Sequence, residues 1–124
     1  MSKDPVIAVI DDDQPFLTAL VESLVSLGYA TRDFASAEEF IARGGESECD
    51  CVITDVHMPG MSGFDLKRLL MARNPDLPVI FITARAEPGL EARAEAVGAV
   101  CLLPKPFESS DLVDCLDRAL DGSH

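Results

Sequence analysis

The stretch Val6-Ile7-Ala8-Val9-Ile10-Asp11-Asp12-Asp13 runs five apolar residues without interruption into three carboxylates. Five residues are too few for a core helix. They are apolar at every position rather than at every second one, which predicts a strand covered on both faces. Such strands belong to parallel sheets with helices packed on each side, and those sheets gather their ligands at the carboxyl ends of the strands. The acidic triplet therefore falls at the edge where chemistry is expected.

Working outward, four more strand-like runs follow: Ala30–Phe34, Cys51–Thr54, Val79–Thr83 and Ala99–Leu103. All but Ala30–Phe34 are nearly continuously apolar. The polar Ala30-Thr31-Arg32-Asp33-Phe34 suits an edge position. Amphipathic helical patterns separate the runs. Pro15 opens the first, with Phe16, Leu17, Leu20, Val21 and Leu24 on one face and Gly28 as its stop. Ser36 is placed to cap a short second helix, with Glu39 as its capping-box partner. Ser62 or Gly63 opens a third carrying Leu66, Leu69 and Leu70. Pro88 opens a fourth, rich in Ala and Glu and running to Val97, and Gly98 closes it. A fifth begins near Ser109 or Ser110 and carries Leu112, Val113, Cys115, Leu116, Ala119 and Leu120. Strict alternation predicts an α/β fold, a doubly wound five-stranded parallel sheet. Strand order 2-1-3-4-5 puts the polar second strand at an edge.

The 124 residues suit one domain, here residues 1–124, and 48% hydrophobic residues can fill a core without structural metal or disulfides. Ten basic against 22 acidic residues leave a net charge of -12, which opposes nucleic-acid binding by this domain. No stretch approaches the roughly 20 apolar residues of a membrane helix, and Met1 to Pro5 do not resemble a secretory leader. A cytoplasmic location is expected. The four cysteines, Cys49, Cys51, Cys101 and Cys115, read as free buried thiols of a reducing compartment. Cys49 and Cys51 are expected on one side of a strand, which disfavours a bridge between them.

The strand ends carry the candidate site. Asp11, Asp12 and Asp13 follow the first strand, Asp55 the third and Thr83 ends the fourth, while Lys105 follows the fifth. Clustered carboxylates favour raised pKa values or a bound cation, and an all-oxygen donor set with few carboxylates suits Mg²⁺. A carboxylate is also a competent nucleophile toward phosphorus. A lysine and a hydroxyl nearby would meet the charge on the transferring oxygens.

Val9-Ile10-Asp11-Asp12-Asp13, Asp55-Val56-His57-Met58-Pro59-Gly60, Val79-Ile80-Phe81-Ile82-Thr83-Ala84 and Lys105-Pro106-Phe107 together resemble the receiver domains of bacterial two-component response regulators. Gly98-Ala99-Val100 leading into Lys105-Pro106-Phe107 resembles the FixJ-like group among them. The resemblance implies a flavodoxin-like fold and Mg²⁺-dependent phosphoryl transfer from a sensor histidine kinase to Asp55. It implies Mg²⁺ held by Asp12, Asp55 and the backbone carbonyl of His57, with Asp11 acting through water. Phosphoryl contacts fall to Lys105, Thr83 and the backbone N–H groups of His57 and Ala84, and the Lys105–Pro106 bond is expected to be cis. The output face is expected to be the fourth helix, fifth strand and fifth helix. It would engage an effector domain, a partner protein or a second copy after phosphorylation. Leu102 departs from the family, which usually carries Tyr or Phe there as an inward-turning ring. Asp13 reads as a helix cap rather than a ligand, and His57 as an exposed loop histidine whose side chain lacks a partner.

Three other readings compete. Asp11-x-Asp13 after a first strand mimics a haloacid-dehalogenase-like phosphatase, but Pro15 is out of place there and 124 residues scarcely permit the late acidic pair plus cap which that family needs. A flavodoxin-type cofactor binder needs a phosphate loop where Asp11 to Asp13 would repel the anion. A receiver-like module that only binds proteins would not need the full acidic site. The chain is expected to act as a regulator rather than as an enzyme.

Overall fold

The computed structural model describes residues 4–85 and 87–121. Five strands, β1 (Val6–Ile10), β2 (Ala30–Phe34), β3 (Cys51–Asp55), β4 (Val79–Thr83) and β5 (Cys101–Pro104), form one parallel sheet in the order β2-β1-β3-β4-β5. Between and after them lie α1 (Gln14–Ser26), α2 (Ala37–Ala42), α3 (Gly63–Arg73), α4 (Leu90–Ala96) and α5 (Ser109–Asp121). A single 3-10 turn, Gly45–Ser47, precedes β3.

Alternation along each strand divides the core in two. Ile7 and Val9 of β1, Cys51 and Ile53 of β3, and Ile80 and Ile82 of β4 pack with Leu17, Leu20 and Leu24 of α1 and Leu112, Cys115 and Leu116 of α5. Ala8, Ile10, Val52, Val79 and Phe81 face the other way, onto Phe40 of α2, Phe64, Leu66 and Leu70 of α3, and Leu90 and Ala94 of α4. Both faces of the central strands are thus covered, which is why those strands read as unbroken apolar runs. β2 and β5 are the two edges.

Local signals set most boundaries. The Asp13 carboxylate accepts the Phe16 N–H and caps α1, with Pro15 in the first turn. Ser62 and Asp65 form a reciprocal capping box at the start of α3. In α2 the Ser36 hydroxyl accepts the Glu39 N–H, but the Glu39 carboxylate accepts from Ala35 rather than from Ser36 itself. β3 runs one residue past the expected Thr54 because Asp55 still pairs with Ile82. β5 starts at Cys101 and not Ala99. The Ala99 N–H returns to the Ala94 carbonyl after Gly98, whose φ of 82° ends α4. α4 starts at Leu90 rather than Pro88, since Gly89 at φ 83° holds the preceding turn.

Two cysteine expectations are corrected. Cys101 and Cys115 are joined by a disulfide, their Cα atoms 6.0 Å apart. β5 and the middle of α5 pack directly against each other, at a separation that suits the bond. Cys49 lies before β3 begins and packs on the α2–α3–α4 side, whereas Cys51 faces α1 and α5. Both are free, and burial pushes each thiol up to about 12.

Gly63 fits the first turn of α3 against the end of β3. A Cβ there would lie 2.5 Å from the Asp55 carbonyl oxygen and 3.0 Å from the Val56 Cα. Both neighbours are backbone, so neither can swing aside. Gly63→Ala is expected to lose about 1–3 kcal/mol in urea denaturation, the usual cost of overpacking, while Gly28→Ala would report strain from positive φ alone.

Candidate functional site

Asp11 follows the last residue of β1, Asp55 ends β3, and the two strands are hydrogen-bonded neighbours. Parallel pairing in this register brings their side chains to one edge of the sheet. Asp11 is fully buried and Asp55 is 6% exposed. Asp12 is exposed, yet one carboxylate oxygen from each of Asp11, Asp12 and Asp55 lies within 4.8 Å of the others. Among the described residues this is the one acidic group that meets the spacing for a metal ion.

Lys105 closes the cluster. Its ammonium donates to Asp11 Oδ2 at 2.8 Å and to Asp55 Oδ2 at 3.0 Å. The chain reaches this position from β5 through the cis Lys105–Pro106 bond, and the Lys105 N–H is held by the Thr83 carbonyl. The remaining oxygens are tied by local backbone. Asp11 Oδ1 accepts the Asp13 N–H at 2.9 Å, and Asp55 Oδ1 accepts the His57 N–H at 2.9 Å.

The electrostatics follow from burial and pairing. Burial pushes the Asp11 carboxyl above its ordinary value despite the hydrogen bonds from Lys105 and Asp13, and the facing Asp55 adds to the rise. For Lys105 burial works against the charge, but hydrogen bonds from the ammonium to Asp11 and Asp55 outweigh it and hold its pKa above 10.5.

Thr83 ends β4 and is 1% exposed. Its hydroxyl donates to the Arg85 carbonyl at 2.9 Å and accepts the Arg85 N–H at 3.1 Å, so it is folded into its own loop. Ala84 beside it is exposed. Leu102 is half-buried on the α2–α3–α4 side of β5 and lies apart from the acidic cluster. Asp13 caps α1, as expected. His57 is half-buried rather than exposed; its Nε2 makes no hydrogen bond and lies 3.5 Å from Glu87 Oε1, on the loop after β4.

Several supports were missed. The Phe16 ring lies 4.1 Å from the Lys105 ammonium, and Phe107 packs edge-on against Phe16. Cation–π attraction adds to the positioning of the lysine. Phe16 reads in sequence only as part of an apolar helix face. Glu38 accepts the Met61 N–H at 2.8 Å and steadies the loop between β3 and α3 from α2. No local pattern announces that contact across 23 residues.

A family model described as the response regulator receiver domain matches residues 7–117. The chain belongs to that family. This receiver is 36% identical over 118 residues to response regulator protein TmoT of Ectopseudomonas mendocina, covering 95% of this chain and 54% of that relative. It is 32% identical over 116 residues to transcriptional regulatory protein FixJ of Rhizobium meliloti, covering 94% and 57%. The solved structure of FixJ-N matches with a TM-score of 0.87 and 30% identity, over 99% of this chain and 98% of that one. Chemotaxis protein CheY4 of Vibrio cholerae matches with a TM-score of 0.85 and 27% identity, over 95% and 100%. The receiver spans about half the length of the curated relatives TmoT and FixJ. The expected family and strand order both hold, and FixJ stands among the relatives and the solved structures alike.

The lysine clamp has a pH signature. A pKa raised on folding adds stability that is complete below the unfolded value and is lost as pH rises through the folded one. In metal-free buffer, wild type should exceed Lys105→Met by about 1.5–3 kcal/mol near neutral pH, the range for charged hydrogen bonds. That margin should shrink above pH 10.5. Urea midpoints of both proteins across this range are the measurement.

Proposed function

We propose that Asp55 is the phosphoacceptor of this receiver and that a phosphohistidine on a sensor histidine kinase is the donor. The observation that carries this reading is the Asp55 carboxylate itself. It stands at the end of a central strand, with the Lys105 ammonium and the His57 N–H on its two oxygens and the Asp11 and Asp12 carboxylates beside it. A carboxylate oxygen of Asp55 attacks phosphorus, the P–N bond breaks, and the imidazole leaves with the electron pair and takes up a proton.

Asp11, Asp12, Asp55 and the backbone carbonyl of His57 would hold Mg²⁺. The donor set fits: oxygens only, with buried carboxylates just after β1 and at the end of β3 and a third open to solvent. When bound, the ion neutralises charge on the phosphoryl oxygens. Lys105, whose ammonium donates to both Asp11 and Asp55, supplies a second positive charge. The Thr83 hydroxyl and the Ala84 N–H complete the phosphoryl contacts, which requires Thr83 to leave Arg85. That exchange draws the loop after β4 toward the site, and Leu102 repacks by volume into the space released.

The signal then leaves through α4, β5 and α5 to an effector domain, a partner protein or a second copy. The unit formed by residues 1–124 acts in the cytoplasm as a regulator rather than as a turnover enzyme. Its net charge of -12 leaves any contact with nucleic acid to another domain.

Acetyl phosphate with Mg²⁺ should add one phosphoryl group by intact mass, and Asp55→Asn should abolish it. A label retained in that variant, or steady release of nitrophenol from p-nitrophenyl phosphate, would overturn the reading. Mg²⁺ titration separates the acidic residues. Asp12→Ala should weaken binding at least about tenfold, as for loss of a direct ligand or its close support. Asp13→Ala should leave affinity unchanged and instead lower stability by about 0.5–2 kcal/mol, as loss of an N-cap does.

A further inference from the structure

The disulfide between Cys101 and Cys115 has no part in the phosphoacceptor site, yet it crosses the face assigned to output. Cys101 opens β5 and Cys115 sits in the middle of α5. Both line the groove that runs between α4 and α5 over β5, so small thiol reagents can reach the pair from solvent. Cys101 is half-buried and Cys115 is 4% exposed, which makes Cys101 the sulfur that an incoming reagent meets first.

The neighbourhood favours exchange at this pair over the other two cysteines. The Arg118 guanidinium donates to the Val100 carbonyl at 3.3 Å and lies against Cys101 Sγ. A positive group beside a sulfur stabilises its thiolate, the reactive form. Cys49 and Cys51 have thiols pushed up to about 12 by burial and stay inert. A cytoplasmic protein would carry such a bond as a reversible device rather than as a permanent staple.

The position of the bond decides what it controls. Cys101 and Leu103 face α5, while Leu102 between them faces the α4 side. The closed bond therefore anchors β5 to α5 at the residue next to Leu102. A covalent tie from Cys101 to α5 holds the backbone beside Leu102 and opposes any strand shift that accompanies its repacking.

We propose that Cys101 and Cys115 form a redox-responsive crosslink that, when closed, uncouples the output groove from phosphorylation at Asp55. The coupling half of this proposal rests on the receiver reading above; the redox half stands on the thiol pair alone. Closure is a two-step exchange with a low-molecular-weight disulfide. The Cys101 thiolate attacks one of its sulfurs, forming a mixed disulfide and expelling one thiolate with the bonding pair. The Cys115 thiolate then attacks Cys101 Sγ and expels the second. The two protons released by the cysteines end on the two expelled thiols, and two small thiols run the sequence backwards.

The main comparison uses the wild-type protein in two redox states, so misfolding of a variant cannot produce it. Equilibrate the protein in buffers from fully reduced to fully oxidised glutathione, trap free thiols by alkylation and map the crosslink by mass. The bond between residues 101 and 115 should open and close within that range, with Cys49 and Cys51 unpaired throughout. Next, treat the oxidised and reduced forms with acetyl phosphate and Mg²⁺, and follow amide exchange over residues 90–121. Both forms should reach the same phosphorylated fraction. The exchange response of the oxidised form should be about tenfold smaller, a typical strength for coupling between sites. Cys101→Ala should respond like the reduced form in either buffer. A pair that never closes, one that reduced glutathione cannot open, or an oxidised form with an undiminished response each overturns the proposal. A reduced protein that takes no phosphoryl group overturns the phosphoacceptor reading of Asp55, and the coupling with it, while the redox titration remains readable.

Discussion

Two buried carboxylates on adjacent strands face one ammonium, and the rest of the molecule is arranged around keeping that contact. Asp11 and Asp55 would repel each other at the dry edge of the sheet if Lys105 did not donate to both. The lysine arrives from β5, two strands away from β3 and three from β1 in the sheet order. Three strands must therefore be in register before the charges balance. A buried cluster of this kind is costly for stability unless the charges are paired, and Lys105 supplies that pairing.

The supports are graded by distance from Asp55. Backbone N–H groups of Asp13 and His57 fix the outer oxygens, and Phe16 backs the ammonium with a ring that Phe107 braces. Farther out, Gly63 lets α3 start in contact with the Asp55 carbonyl, and Glu38 pins the intervening loop. His57 Nε2 and Glu87 Oε1 approach to 3.5 Å, so side chains of the loops after β3 and β4 meet beside Asp55.

The fold was legible because its signals are local and periodic. Uninterrupted apolar runs, Asp13 and Ser62 as caps, and glycines after helices each constrain a few residues, and alternation of strand and helix admits few topologies. The polar β2 sequence was sufficient to place that strand at an edge. The convergence of Asp11, Asp12, Asp55 and Lys105 was legible for a different reason: residues at or just past the ends of parallel strands gather at one edge. Contacts between elements were not legible. The Cys101–Cys115 bond depends on how α5 sits on β5, the His57–Glu87 approach on how two loops bend, and the Phe16 ring on which face of α1 meets Lys105. Helix and strand periods report the side that is buried, not the neighbour it meets.

Both edges of the sheet are poor templates for another strand. β2 carries Thr31, Arg32 and Asp33, and β5 is four residues long and ends in Pro104, which has no N–H to offer. Backbone ladders cannot readily extend from either side, so accidental strand addition and the aggregation that follows from it are discouraged. Any contact of this receiver with a partner is thereby left to side chains on the helices. Side-chain contacts form and dissolve with small shifts in packing, and that suits a signal which has to be withdrawn as readily as it is given.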